Sequence, residues 1–287
     1  MTIRTILVPI RGDGKGETVL DHAVALARRF GARVLVIYAR PRPEDMLPFG
    51  FAVPGAVKQI IVDSADTSAA HENERMRSLF EDYCGEKGIP IVDDGPAPKG
   101  SLCASWRVET GRQATVVAKR GLLSDLIVVP RPDADGTGVN TLEAALLDSG
   151  KLVLIAPPKP ATMIGTSVAI AWKPSREMAR ALTAAMPILA AADTVTVLCA
   201  PPRSGDTRLT AEELAEYLGS HDIDAEVRVI RARPTQVGQG LLAEAEAVGA
   251  DVMLMGGYGQ RFRRKLVMGG VTRYVITHGD MPVLIMH

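Results

Sequence analysis

One plan of alternating strand and helix is written twice along this chain. "RTILVPI" is a short β-rich run, followed by "ETVLDHAVALARRFG", in which Val19, Leu20, Ala23, Leu26 and Ala27 share one helical face and Gly31 ends the pattern. "ARVLVIYA" then supplies a continuous apolar strand of the kind buried on both faces of a parallel sheet. The second half repeats the order with "TSVAIAW", "REMARALTAAMPILAAA" and "DTVTVLCA". The ends of the halves correspond too: "SDLIVV … TLEAALLDSGKLVLIAPP" parallels "ADVMLMGG … VTRYVITHGDMPVLIMH". A period this long is a domain duplication and not a solenoid, so two domains are expected, residues 1–156 and 163–287, linked through "PPKPATMIG".

Each half has room for one more helix and strand, "ENERMRSLFEDYCGEKG" with "SLCASWRVE" and "TAEELAEYLGSHD" with "AEVRVIRA". The helices "RQATVVAKRGLL" and "VGQGLLAEAEAVG" lead back to the fourth strands. The predicted fold is therefore α/β: two tandem Rossmann-like domains, each a five-stranded parallel sheet in the order 3-2-1-4-5 with helices on both faces. At 287 residues and 47% apolar, the chain can bury substantial cores. In such sheets a ligand sits outside the carboxyl ends of the strands, where the winding reverses between the first and fourth strands.

In the second half that place is occupied by "GGYGQRFRRKLVMGGVT", Gly256 to Thr272, directly after the fourth strand. Gly256, Gly257 and Gly259 can take backbone angles closed to other residues and leave amides uncovered, while Gly269 and Gly270 precede a helix. A helix N-terminus presents unpaired N–H groups and partial positive charge, so loops meeting there suit a polyphosphate, with Thr272 as a hydroxyl donor. Arg261, Arg263, Arg264 and Lys265 lie between the glycines, as anion ligands or as a solvated face. Taken alone, the glycines fit a tight strand-to-helix crossover as well as a phosphate site.

The arrangement Gly256, two residues, Gly259, nine residues, Gly269 resembles the nucleotide-loop motif of the universal stress protein family. The likeness extends to "TILVPI … LDHAVALARRFGA", "VAIAW … SREMARAL" and "GGVTRYVITHGDMPVLIMH", and so spans almost the whole chain. It implies a tandem bacterial member whose two ATP-binding-type domains pack as an intramolecular pseudo-dimer. The nucleotide ligands it implies are Ala171, Trp172 and Lys173 on one wall and Gly256, Gly257, Tyr258, Gly259, Gly269, Gly270, Val271 and Thr272 on the other, with ATP, alone or with magnesium, as the cofactor. The chain departs from the family's pattern in four places. Gly270 stands where ATP-binding members have Ser or Thr, and Arg11 and Lys173 stand where the family usually has an acid that holds the nucleoside. In the first half "PRPDADGTGVNT" replaces the glycine motif; Pro130 and Pro132 lack N–H donors and Asp133 and Asp135 repel phosphate, so that site is expected to be dead. "GDGKGE" has neither dinucleotide nor P-loop spacing and reads as a turn.

The remaining features narrow the function classes. Lys plus Arg equals Asp plus Glu, giving a net charge of zero, which offers neither a nucleic-acid surface nor a polybasic membrane patch. Cys84, Cys103 and Cys199 form no CxxC pair, and no stretch reads as a signal or a membrane span, so a soluble cytoplasmic protein is expected. No HExxH, G-x-S-x-G or cysteine–histidine signature occurs; His22 and His278 fall on helices, and Glu212, Glu213, Glu244 and Glu246 on ordinary helix surfaces. Met253, Met255, Met268 and Met281 read as core filler. Trp172 either stacks on a base or packs as a rim residue. Residues Ala39 to Val57, with Met46, Leu47, Phe49, Phe51 and Val53, form a loop that covers the first domain, docks a partner or folds onto its own helix. The leading expectation is a stress-response nucleotide sensor with one site, in the second half, acting through a protein partner of unknown identity, alone or as a homodimer. The alternatives are a ligand-free scaffold and a slow nucleotide hydrolase, at most a weak ATPase given that no general base stands out.

Overall fold

A computed structural model describes residues 2–42, 55–93, 95, 100–201, 208–233, 235–257, 259–262 and 265–287. In the first half β1 (Thr5–Ile10), α1 (Gly16–Phe30), β2 (Arg33–Arg40), α2 (Gly55–Lys87), β3 (Cys103–Thr110), α3 (Gln113–Gly121), β4 (Leu126–Pro130), α4 (Val139–Asp148) and β5 (Leu152–Ala156) follow one another. The second half runs β6 (Ser167–Trp172), α5 (Arg176–Ala191), β7 (Thr194–Cys199), α6 (Ala211–Gly219), β8 (Ala225–Val229), α7 (Val237–Ala247), β9 (Val252–Gly256), β10 (Gly259–Phe262), β11 (Lys265–Met268), α8 (Gly270–His278) and β12 (Val283–Met286).

The strands form one ten-stranded sheet in the order β3-β2-β1-β4-β5-β12-β9-β6-β7-β8. Each half is thus 3-2-1-4-5 and parallel within itself, as expected. The halves join edge to edge through the antiparallel pairing of β5 with β12, with Val283 opposite Ile155, Leu284 opposite Leu154 and Ile285 opposite Val153. Adjacent residues in a strand point to opposite faces, and here both faces are covered. Ile6, Val8, Leu154, Ile170 and Leu284 pack in one apolar cluster, whereas Leu7, Ile155, Ala169, Met255 and Ile285 pack in the other. Both clusters run across the junction, so the two halves share a continuous core on each face of the sheet.

Two elements differ from the sequence reading. α2 begins at Gly55 and spans 33 residues, well upstream of the predicted "ENERMRSLFEDYCGEKG". Its middle turns, "VDSADTSAAHENE", are polar and carry no apolar stripe, so periodicity gave no signal there. Met46, Leu47, Phe49, Phe51 and Val53 lie outside the described residues. The segment after β9 is also not a plain connection: β10 and β11 pair as an antiparallel ribbon, with Gly259 opposite Met268 and Phe262 opposite Lys265. Cys84, Cys103 and Cys199 are free thiols, and no described helix is long and apolar enough to cross a membrane.

A shared core predicts shared unfolding. The chain has two tryptophans, Trp106 in β3 and Trp172 at the end of β6, one in each half. In single-tryptophan variants (Trp106→Phe or Trp172→Phe), urea titration followed by the remaining indole should give one coincident transition in both proteins once each variant's own stability change is subtracted. Two separated transitions, with different slopes, would show that the halves fold independently.

Candidate functional site

The carboxyl ends of β6 and β9 diverge at the winding reversal of the second half, and a cavity of about 610 Å³ opens there. Its volume lies within the range of small-molecule sites, roughly 300–1,000 Å³. Ala171 and Trp172 come from the end of β6, with Lys173 following; Met255 comes from β9, Cys199 from β7 and Val229 from β8. Opposite them stand Gly269, Gly270, Val271 and Thr272, the first turn of α8.

The termini of the surrounding helices are not alike. α5 is capped by Ser175, whose hydroxyl accepts from the Met178 amide at 3.1 Å. α6 closes with a capping box: Thr210 N–H donates to Glu213 at 2.7 Å and Glu213 N–H to the Thr210 hydroxyl at 3.2 Å. α7 and α8 open without a side-chain cap, and α8 alone among these helices places its cap residue and whole first turn on the wall. Its first helical bond is Arg273 N–H to the Gly269 carbonyl at 2.9 Å, so the amides of Gly270, Val271 and Thr272 precede any intrahelical acceptor. Gly269 and Gly270 keep this turn bare, and a Cβ added to Gly270 would meet nothing within 4 Å.

Of the eleven residues expected at the site, the structure brings seven together: Ala171, Trp172, Lys173, Gly269, Gly270, Val271 and Thr272. Trp172 is half-buried and its Nε1–H donates to the Leu209 carbonyl at 3.3 Å, so the indole is held as part of the wall. Thr272 is buried, at 1% exposure, while Val271 is exposed. Gly256 and Gly257 require a correction. They do not offer uncovered amides: the Gly257 N–H donates to the Met286 carbonyl at 2.8 Å, and Gly256 is the last residue of β9, paired with Met286. They are glycines because of crowding, since a Cβ on Gly256 would lie 2.9 Å from the Met178 nitrogen and one on Gly257 2.9 Å from the Met286 oxygen. Gly259 enters the β10–β11 ribbon, and Tyr258, Arg263 and Arg264 lie outside the described residues.

The lining residues that the sequence reading did not assign to the site include three with reactive or charged side chains, Cys199, Arg208 and Glu212. Each comes from the end of the second strand or the helix entry after it, which the 3-2-1-4-5 order places beside the first strand; topology, not a motif, was the available signal. Glu213, grouped with Glu212 on sequence, belongs to the capping box instead. Burial pushes the Cys199 thiol above its ordinary range, with Glu212 adding to the effect. His22, by contrast, is fully buried in α1; its Nδ1–H donates to the Thr18 carbonyl at 2.7 Å, and burial lowers its pKa. Among the described residues no cluster of three or more His, Cys, Asp or Glu could hold a metal ion.

The matching place in the first half retains only about 10 Å³. Arg11 binds Asp13 at 2.6 Å and lies against the α4 N-cap, where a Cβ on Gly138 would come within 2.9 Å of its guanidinium. Lys15 pairs with Asp133 at 2.6 Å and donates to the Arg131 carbonyl at 2.9 Å. The turn at Gly12 sits under α2, where a Cβ would overlap the Glu72 carboxylate. This crevice is filled by the protein's own ion pairs.

The family model described as "Universal stress protein family" matches residues 167–287. Over 98% of this chain and 97% of its own, a universal stress protein from Archaeoglobus fulgidus superposes with a TM-score of 0.71 at 15% identity. A putative universal stress protein from Pseudomonas aeruginosa does so with a TM-score of 0.54 at 15% identity, over 99% of this chain and 93% of its own. The cytoplasmic domain of a prokaryotic cation chloride cotransporter gives 0.50 at 10% identity, over 99% and 95%. No curated protein matches the chain. At these identities the solved structures establish the fold alone.

The two glycine roles separate by stability. Gly256→Ala should destabilise the protein by about 1–3 kcal/mol through overpacking against α5. Gly270→Ala, in open space at a helix start, should range from neutral to about 1 kcal/mol stabilising. Urea denaturation measures both, and a reversed order would overturn the assignment.

Proposed function

We propose, from the match of residues 167–287 to the universal stress protein family model, that the second half binds a nucleotide, ATP in the first instance, in the cavity between β6 and α8. The observation that carries this reading is the uncapped α8 terminus facing an otherwise largely apolar cavity. Phosphate oxygens are met by the amides of Gly270, Val271 and Thr272, with the helix dipole adding favourable potential. Lys173 and Arg208 place positive charge on the same cavity. Ala171, Trp172 and Met255 provide the apolar surface that a base requires. Lys173 cannot accept from a ribose hydroxyl; Glu212, the one carboxylate among the described lining residues, supplies that acceptor on the opposite wall.

In this reading the protein is a stress-response sensor: nucleotide occupancy at the start of α8 alters the surface a protein partner meets. Its setting is the cytoplasm. A ligand-free scaffold is the second reading, favoured by the loss of a hydroxyl at Gly270 and by the first-half crevice, which shows that this fold can close the same place with its own side chains.

Gly270→Glu separates the two. The site has room for the side chain, and a carboxylate at a helix start is favourable, so the variant should melt no lower than the wild type. Its charge occupies the position assigned to phosphate, so calorimetric titration should show ATP binding weakened at least about tenfold, while Gly270→Ala stays within about threefold. Equal affinities for wild type and Gly270→Glu would refute the assigned site, and no binding by wild type would favour the scaffold.

A further inference from the structure

α8 connects the two crevices. Because β12 runs antiparallel to β5, α8 starts at the carboxyl ends of the second-half strands and finishes beside the carboxyl ends of the first-half strands. At that far end the carbonyls of its last turn lack intrahelical partners. Arg131 of the first half meets them. Its Nη1 donates to Gly279 O at 2.8 Å, to Ile276 O at 3.2 Å and to Thr277 O at 3.4 Å.

Arg131 is also the structural counterpart of Gly257. Each follows the last residue of its fourth strand, and each amide donates to the end of its fifth: Arg131 N–H to Ala156 O at 2.8 Å and Gly257 N–H to Met286 O at 2.8 Å. The Arg131 backbone is fixed in turn by Lys15, which donates to its carbonyl at 2.9 Å and pairs with Asp133 at 2.6 Å. The residues that close the first crevice thus hold the arginine that grips the rear of α8.

We propose that Arg131 is a positioning residue for the second-half site: by binding the carbonyl end of α8 it fixes the helix and opposes its negative pole, so that the amides at the front stay aimed into the cavity. The inference rests on the nucleotide reading for its ligand, but the mechanical part, Arg131 holding α8, stands independently. A cation at a helix carboxyl terminus supports the helix electrostatically and by hydrogen bonding to its last carbonyls. The glycine motif that the first half lacks is replaced by a contact that serves the other half.

The test uses the full chain with Arg131→Met and Arg131→Lys, each checked for cooperative melting. In amide hydrogen exchange without nucleotide, Arg131→Met should speed exchange across Arg273–His278 by about fivefold or more, with Arg131→Lys intermediate because it keeps the charge but not the fork. Unchanged α8 exchange in a folded Arg131→Met overturns the proposal. In titrations, Arg131→Met should weaken ATP by about three- to tenfold and adenosine by less than about twofold, since only the phosphate end depends on the α8 amides. Equal weakening of both ligands would contradict the positioning role. Should wild type bind no ATP, the nucleotide reading fails and the exchange measurement alone decides the fate of Arg131. If Arg131→Met does not fold, Arg131→Lys decides by the same exchange criterion: faster in α8 supports, unchanged overturns.

Discussion

The antiparallel pairing of β5 with β12 is the contact on which the molecule depends. Three register pairs, Val283 with Ile155, Leu284 with Leu154 and Ile285 with Val153, turn two five-stranded sheets into one and remove the exposed inner edge of each. They also make the apolar clusters on both faces continuous from one half to the other. The orientation of this junction matters as much as its strength. With the halves head to tail, the two crevices open at opposite ends of the sheet, and α4 and α8 each run from one crevice toward the other.

Duplication gave two crevices the same frame, and side-chain chemistry then made them different. In the first, Arg11 pairs with Asp13, Lys15 pairs with Asp133 across the gap, and Pro130 stands at the end of the fourth strand. A phosphate entering there would have to displace paired carboxylates. In the second, Lys173 follows the first strand as Arg11 does in the first half, the helix start carries Gly269 and Gly270, and among the described residues no side chain caps the α8 amides. The cavity that remains is apolar along the strands and bare of caps at the helix, which suits an anion with an apolar body.

Much of this was legible in the sequence because its signals are local and repeated. The buried strands read as continuous runs of Val, Ile and Leu, α1 and α5 read as striped helices, and the order 3-2-1-4-5 locates the winding reversal. Gly269 through Thr272 line the cavity and open α8, a helix start that the paired glycines before "VTRYVITHG" mark in the sequence. What stayed illegible depends on contacts distant in the chain. Nothing beside Gly256 reveals that Met178 presses on it, and nothing near Gly257 reveals that its amide answers Met286. The β10–β11 ribbon hides in a basic run without alternation, and the middle turns of α2 hide in a polar stretch with no stripe. Cys199, Arg208 and Glu212 reach the site only through topology.

The central claim is that the amides at the start of α8 seat the phosphates of a nucleotide. Backbone ¹⁵N–¹H spectra recorded during ATP titration address it most directly. The account predicts saturable shifts at Gly270, Val271 and Thr272, with the corresponding first-half amides of Val139, Asn140 and Thr141 unmoved. Saturable ATP binding that leaves the α8 amides in place, or that moves the first-half set instead, would contradict it.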